Sequence, residues 1–186
     1  MSDAIRLTSP IFSEIAADSD HYPADDARFV IGTETISVHR QFLCMISPVL
    51  KNYFTNDSIE SQTGAINVTD FTVDVVKNVV DFCYGCDVGA KTIPEIVDML
   101  RFADKYDIKC VTKKLEHFPF ESLNLDNFCI VVRYAYDLEL SELFENCCEF
   151  YGKNVSSLAL SEGFIGLPWE AQKKVSTTAF ELMKGN

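Results

Sequence analysis

The pattern of apolar residues changes at Pro119, and this change constrains the fold more than any other feature. Before Pro119, two short apolar runs at 28–31 and 35–38 flank a glycine-containing turn and predict a β-hairpin, which is followed by several helical segments. After it, apolar residues recur at helical spacing only. The sequence therefore predicts an α+β unit over residues 1–120 and an all-helical extension over residues 121–186, with no internal repeat.

Capping signals predict where several helices begin. Thr92-Ile93-Pro94-Glu95 is a capping box with proline in the first turn, and Ser47-Pro48 is a similar start. We expect further caps at Asn124, Ser141 and Ser161. The predicted core face of the helix after Thr92 consists of Ile96, Val97, Leu100, Ala103 and Tyr106.

The charge balance argues against several classes of partner. The formal net charge is −12 and the pI is about 4.6, with the acidic excess spread over both halves of the chain. The basic run from Lys105 to Lys114 has helical spacing and indicates a solvated helix face, so we expect no nucleic-acid partner. An apolar run long enough to span a membrane and a secretory signal are both missing, so a cytoplasmic or nuclear protein with reduced cysteines is expected.

The sequence offers little that could carry catalysis. Cys83-Tyr-Gly-Cys86 has the spacing of a redox or metal half-site, but a zinc site needs a second pair of ligands at matched spacing. We therefore interpret these cysteines as structural and expect neither metal nor cofactor. A serine nucleophile elbow, a phosphate-binding glycine loop and a paired-histidine motif are also missing, so we expect that the protein is not an enzyme.

One pair of charges stands out at the predicted hairpin. Asp26 and Arg40 flank its two strands, which would bring both residues to the same end. They either form an acid–base pair or remain two independent surface charges, and the hairpin alone does not decide between these.

Five fragments in order resemble the BTB/POZ domain family. They are Asp26–Gly32, Ile36–Leu43, Ser47–Phe54, Phe82–Gly85 and Ala103–Ile108. The resemblance implies a small mixed sheet flanked by helical hairpins. Residues 124–160 are similar to the helical pair called the three-box, the start of the BACK region.

The resemblance also implies a homodimer. Asp26 and Arg40 match an acid and a base that form a charged pocket at the family's dimer interface, and the apolar stripe Ile11, Phe12 and Ile15 would lie at the two-fold axis.

Members with a three-box commonly act as substrate adaptors of cullin-3 ubiquitin ligases, which implies a cullin site here. The family's hydrophobic-x-Glu motif after Phe54 corresponds to Ser58-Ile59-Glu60, where serine replaces the hydrophobic residue. Replacing Ser58 by Met is expected to restore an apolar contact. The second implied cullin surface consists of Leu125, Phe128, Leu138 and Leu140, for which core packing is the alternative.

Two functions remain open at this stage. The first is a non-catalytic dimeric adaptor that links cullin-3 to an unidentified target protein. The second is an oligomerisation module in a transcriptional or cytoskeletal assembly that binds no cullin. Because a Kelch or MATH domain does not fit in 186 residues, the target would be held by the dimer or the helical extension, or the chain would be a short regulator.

Overall fold

The computed structural model describes residues 5–6 and 26–184, which fall into two compact units. The units divide between Glu116 and His117, four residues before the boundary that the sequence predicts. The first unit contains strands β1 (Ile5–Arg6), β2 (Ala27–Ile31), β3 (Glu34–Val38), β4 (Ala65–Asn67) and β5 (Ala90–Lys91), and helices α1 (Arg40–Ile46), α2 (Pro48–Thr55), α3 (Ile59–Thr63), α4 (Val73–Cys83), α5 (Ile93–Lys105) and α6 (Lys109–Leu115).

The predicted hairpin is formed by β2 and β3, which pair antiparallel from Ala27 opposite Val38 to Ile31 opposite Glu34. Gly32 has a φ of 60°, which suits the first central residue of a two-residue hairpin turn. Strand β4 adds parallel to the other edge of β2, giving the order β3-β2-β4. A separate two-stranded ribbon joins β1 to β5. The result is a small mixed sheet, as predicted.

Helix α5 forms the centre of the first unit. All five residues of its predicted core face are buried, and Ile93, Met99 and Phe102 are buried as well. The Phe102 ring contacts those of Phe29 from β2 and Tyr106, with ring centroids 5.8 and 4.6 Å apart. The Phe29 and Phe102 rings meet edge to face, and a contact of this kind between sheet and helix adds about 0.5–1.5 kcal/mol beyond the burial of apolar area.

Ser47 connects α2 to the end of α5. It is the N-cap of α2, where its hydroxyl oxygen accepts a hydrogen bond from the Leu50 amide at 2.9 Å. The same hydroxyl donates to the carbonyl of Tyr106. Ser47 is fully buried, so both backbone groups depend on this side chain for a partner.

The second unit is all-helical, as predicted. Its helices are α7 (His117–Glu121), α8 (Phe128–Asp137), α9 (Ser141–Lys153), α10 (Val155–Leu158), α11 (Glu162–Ile165) and α12 (Trp169–Lys184). Helix α12 packs on α9 through Ala171, Val175 and Ala179, all buried. Met183 lies against Gly152, where an added Cβ would stand 3.0 Å from its sulfur. Small residues therefore let the two helices approach closely.

Three predicted boundaries are wrong. The sequence predicts one helix over 109–118, but α6 ends at Leu115, because in a continuous helix the ring of Pro119 would clash with the carbonyl four residues earlier. Ser141 is the first residue of α9 and not its cap. Asn124 accepts hydrogen bonds from the amides of Asp126 and Asn127, yet α8 begins only at Phe128.

Replacing Ser47 by Ala should lower the free energy of unfolding by about 1–3 kcal/mol, because it removes a helix cap and leaves a buried carbonyl unpaired. Urea denaturation followed by far-UV circular dichroism measures this. Ser37→Ala, at an exposed position of β3, is the control and should change stability by less than about 0.5 kcal/mol. Equal effects of the two substitutions would contradict the role given to Ser47.

Candidate protein-interaction site

The structure brings Asp26 and Arg40 together, as the hairpin argument suggests. Asp26 immediately precedes β2, and Arg40 is the first residue of α1. The contact differs from the expected acid–base pair, because the Asp26 carboxylate accepts a 2.6 Å hydrogen bond from the backbone amide of Arg40. A carboxylate at this place binds a free amide of the first helical turn. Asp26 therefore fixes the start of α1 and leaves the guanidinium to other partners.

The guanidinium of Arg40 joins α1 to α2 and α3. Its Nη1 donates to the carbonyl of Ser61 at 3.0 Å, and its central carbon lies 4.9 Å from the centroid of the Phe54 ring. Its Nε is buried without a hydrogen-bond partner among the described residues. We define Asp26, Arg40, Phe54 and Ser61 as the Arg40 cluster. A cation is attracted to the face of an aromatic ring, so this cluster connects three helices.

Phe54 is a core residue rather than a contact surface. Its side chain is 7% exposed and lies beneath the Arg40 guanidinium. The expectation that Phe54 itself touches a cullin is therefore corrected in this structure: its ring supports Arg40.

Ser58 begins α3 as its N-cap. Its hydroxyl oxygen accepts a hydrogen bond from the Ser61 amide at 3.1 Å and donates to the Tyr53 carbonyl at 2.7 Å. The Ser61 hydroxyl in turn accepts from the Ser58 amide at 3.2 Å, which completes a capping box. This explains the serine that departs from the family motif. It also corrects the expectation for Ser58→Met, because methionine would remove the cap.

The first turn of α3 presents Ile59 and Glu60. Ile59 is 74% exposed, and Glu60 is half-buried. An exposed apolar side chain therefore lies one position after Ser58, next to an acidic residue. An aliphatic side chain this exposed offers a contact that a partner could bury.

The residues expected to form the second surface are not equivalent. Leu125 is 46% exposed, and Leu138 and Leu140 are half-buried. Phe128 is fully buried, and its ring stacks on those of Phe150 and Tyr151 with centroids about 6 Å apart. Phe128 is therefore a core residue of the helical unit, which corrects its assignment as a contact. Leu125, Leu138 and Leu140 keep accessible apolar surface.

Sequence reasoning missed Ser61 and Gly64. Gly64 follows α3 with a φ of 66°, and its amide donates to the Glu60 carbonyl at 2.9 Å. A Cβ at this position would lie 2.7 Å from the Asp26 carbonyl oxygen and 3.5 Å from Nη2 of Arg40. The signal was available, since a serine pair at cap spacing followed by glycine marks a short helix.

Within residues 5–6 and 26–184, histidine, cysteine and carboxylate side chains never gather in a group of three that could hold a metal ion. The helices of this part of the chain are also too short or too polar to cross a membrane.

The sequence model of the BTB/POZ domain matches residues 20–123, more than half of the chain. The chain belongs to the BTB/POZ domain family. This confirms the resemblance and, with the mixed sheet flanked by helices, the predicted fold class. BTB/POZ domains are protein-interaction modules, so protein interaction is the general function of this chain.

Similarity to two curated proteins agrees with this assignment. The chain is 30% identical over 107 residues to BTB and MATH domain-containing protein 42 of Caenorhabditis elegans, covering 56% of this chain and 26% of that protein. It is 24% identical over 176 residues to BTB/POZ domain-containing protein 9 of Drosophila melanogaster, covering 94% and 24%. The BTB domain of human gigaxonin aligns with 18% identity and a TM-score of 0.47, covering 63% of this chain and 99% of that one.

The relatives are longer than this chain. It spans from about a quarter to a half of the lengths of the curated proteins it matches. The match to BTB/POZ domain-containing protein 9 extends beyond residue 123, into the helical unit.

Replacing Gly64 by Ala should destabilise the protein by about 2–4 kcal/mol, for two reasons. The new Cβ would clash with the Asp26 carbonyl oxygen, and alanine is strained at a positive φ. Gly32→Ala is a matched control, with a similar φ and open space around the added atom, and should cost about 1 kcal/mol. Chemical denaturation compares them. Equal losses would show that the packing around Arg40 does not restrict position 64.

Proposed function

We propose that this chain is a non-catalytic homodimeric adaptor that links a cullin-3 ubiquitin ligase to target proteins in the cytoplasm or nucleus. The observation that carries the proposal is the first turn of α3, where Ile59 is exposed beside Glu60 on a helix tied to Arg40. Membership of the BTB/POZ family supplies the context.

Ile59 takes the part of the hydrophobic residue in the family motif. Burying a side chain of this size contributes about 1.5–3 kcal/mol, which is a substantial share of the free energy of a modest interface. Ser58 remains necessary as the cap that holds the turn. A cullin would therefore contact Ile59 from a position rotated by about 100° relative to the usual motif.

The helical unit would supply the second cullin contact. Leu125, Leu138 and Leu140 have accessible apolar surface, and Phe128 would support them from the core. The alignment with BTB/POZ domain-containing protein 9 extends into this unit, so it has a counterpart in a longer BTB/POZ relative, and we propose that it is a three-box and partial BACK extension.

Dimerisation belongs to the same proposal. The stripe Ile11, Phe12 and Ile15 lies outside the described residues, and we propose that it packs at the two-fold interface. Asp26 and Arg40 would lie beside that interface, where the hydrogen bond from the Arg40 amide to the Asp26 carboxylate would fix the start of α1.

A second function is favoured by one observation. Ser58, and not an apolar residue, occupies the first position of the cullin motif, where it serves the capping box. A BTB/POZ dimer whose α3 has lost its cullin contact would act as an oligomerisation module in a transcriptional or cytoskeletal assembly.

Light scattering on a sizing column distinguishes the two functions. The protein alone should elute as a dimer and, with the N-terminal part of cullin-3, as a two-plus-two complex. Ile59→Asp should keep the dimer and weaken cullin binding at least about tenfold, since a charge replaces the buried contact. Ile165→Asp, the same substitution at another exposed isoleucine that lies outside residues 124–160, is the control and should bind normally.

The remaining outcomes are also informative. A dimer that does not bind the cullin would contradict the adaptor function and support the second function, the oligomerisation module. A monomer would contradict both functions.

A further inference from the structure

Helix α12 buries its small apolar residues and exposes its largest ones. Ala171, Val175 and Ala179 pack on α9, whereas Trp169 is 68% and Phe180 is 58% exposed. A helix that only covers a core buries its largest apolar side chains, because the free energy gained grows with the apolar area removed from water. The outer face of α12 therefore has the character of a contact surface.

The two exposed rings share one face of the helix. Trp169, Lys173, Ser176 and Phe180 follow one another at steps of four, three and four residues, and all four are exposed. This spacing places them in one row, which Lys184 continues after Phe180. We call these five residues the α12 stripe. The two rings begin about 16 Å apart along the helix axis, and the small Ser176 between them leaves room for a side chain of a partner.

Side-chain contacts hold both ends of the α12 stripe. At the start of the helix, Nε2 of Gln172 donates hydrogen bonds to the carbonyls of Ile165 at 3.0 Å and Leu167 at 2.7 Å. At the other end, Nζ of Lys184 lies 4.2 Å from the centroid of the Phe180 ring. A surface that is ordered before binding loses less conformational entropy when a partner docks.

The α12 stripe is basic although the protein is strongly acidic. The chain has a formal charge of −12, and residues 117–186 contain ten acidic side chains and five basic ones. Three of these five, Lys173, Lys174 and Lys184, lie in α12. The two glutamates of the helix each follow one of the exposed rings by one residue, so they are rotated by about 100° away from it. The α12 stripe therefore combines two ammonium groups with two aromatic rings and contains no carboxylate.

The charge of the α12 stripe indicates the kind of partner. In the part of the chain that the structure describes, neither Lys173 nor Lys184 has a carboxylate within the 4.0 Å of an ion pair. A symmetric contact with a second copy would place these lysines against the same lysines, which repel each other. A partner with carboxylates around an apolar row complements both the charges and the rings.

We propose that the α12 stripe is a docking surface for an acidic amphipathic helix of a partner protein. The apolar row of that helix covers Trp169 and Phe180, and its carboxylates pair with Lys173 and Lys184. In the adaptor function this helix belongs to the target protein, and that identification of the partner rests on the proposed function.

Trp169 is the single tryptophan of the chain, so its fluorescence reports directly on the α12 stripe. The probe is a synthetic helical peptide of about five turns without tryptophan, which has leucines in one row and glutamates on the remaining faces. A matched peptide has lysine in place of every glutamate. Titrating the full chain with the acidic peptide should move the Trp169 emission to shorter wavelengths and reach saturation. The basic peptide should bind at least about tenfold more weakly, and added salt should reduce this difference.

Variants separate the two parts of the proposed contact. Phe180→Ala should weaken binding of the acidic peptide at least about tenfold, because it removes one of the two rings. Lys173→Glu combined with Lys184→Glu should reverse the preference, so that the basic peptide binds more tightly. Phe120→Ala, a matched substitution at another exposed phenylalanine of the helical unit, is the control and should bind normally. Far-UV circular dichroism checks that each variant keeps its helices.

Three results would overturn the proposal. The first is an unchanged Trp169 emission with the acidic peptide, and the second is equal affinity for both peptides. The third is an emission shift caused by raising the protein concentration without peptide, which would show that a second copy covers the α12 stripe. These titrations contain no cullin, so a chain that binds the cullin but not the acidic peptide would keep the adaptor function and lose this docking surface.

Discussion

The contact between the Arg40 guanidinium and its neighbours organises the surface on which the proposed function depends. Through its side chain Arg40 lies over Phe54 in α2 and donates to Ser61 in α3, and through its amide it binds Asp26 before β2. A planar, permanently charged group with several donors suits such a junction, and lysine could not reproduce its geometry. We propose that Asp26 and Arg40 lie beside the dimer interface and that the first turn of α3 contacts the cullin. The two sites therefore belong to one connected set of contacts.

The core beneath this cluster keeps its elements in place. The rings of Phe29, Phe102 and Tyr106 hold the sheet against α5, and Ser47 connects the start of α2 to the Tyr106 carbonyl. Helix α2 carries Phe54, so the position of the guanidinium depends on this buried framework. Interfaces built on rigid elements retain their geometry without a partner, which lowers the entropic cost of binding.

Sequence patterns predicted the features that depend on residues close to each other in the chain. The hairpin, the capping box at Thr92 and the core face of α5 follow from turn residues, cap spacing and periodicity, and all three are present. The same rules did not predict that Asp26 would bind the backbone of Arg40, because a charge pattern does not say which atom of a neighbour is nearest. For Phe128 the sequence left a cullin contact and core packing both open, because an apolar residue on a helix gives the same pattern whether its face is buried or exposed.

The cysteines show the same limit. Cys83 and Cys86 share a familiar spacing, yet Cys83 lines an apolar recess with Phe42 and Ile108 from other parts of the chain, whereas Cys86 is exposed. Ser58 shows the reverse, because its departure from the family motif is explained by local capping once α3 is known to begin there. Spacing predicts contacts within one element, whereas contacts between elements depend on how the helices pack.

Backbone hydrogen exchange in an Arg40→Met variant measures whether the guanidinium holds α3 in place. We predict that the amides of Gln62 and Gly64, which close α3, exchange at least about tenfold faster than in the wild type, while the amides of the β2–β3 hairpin keep their protection. Arg133→Met, which removes a surface ion pair with Asp137 in the helical unit, should leave α3 unchanged. Exchange in α3 at the wild-type rate in Arg40→Met would contradict the account, because α3 would then be held without Arg40.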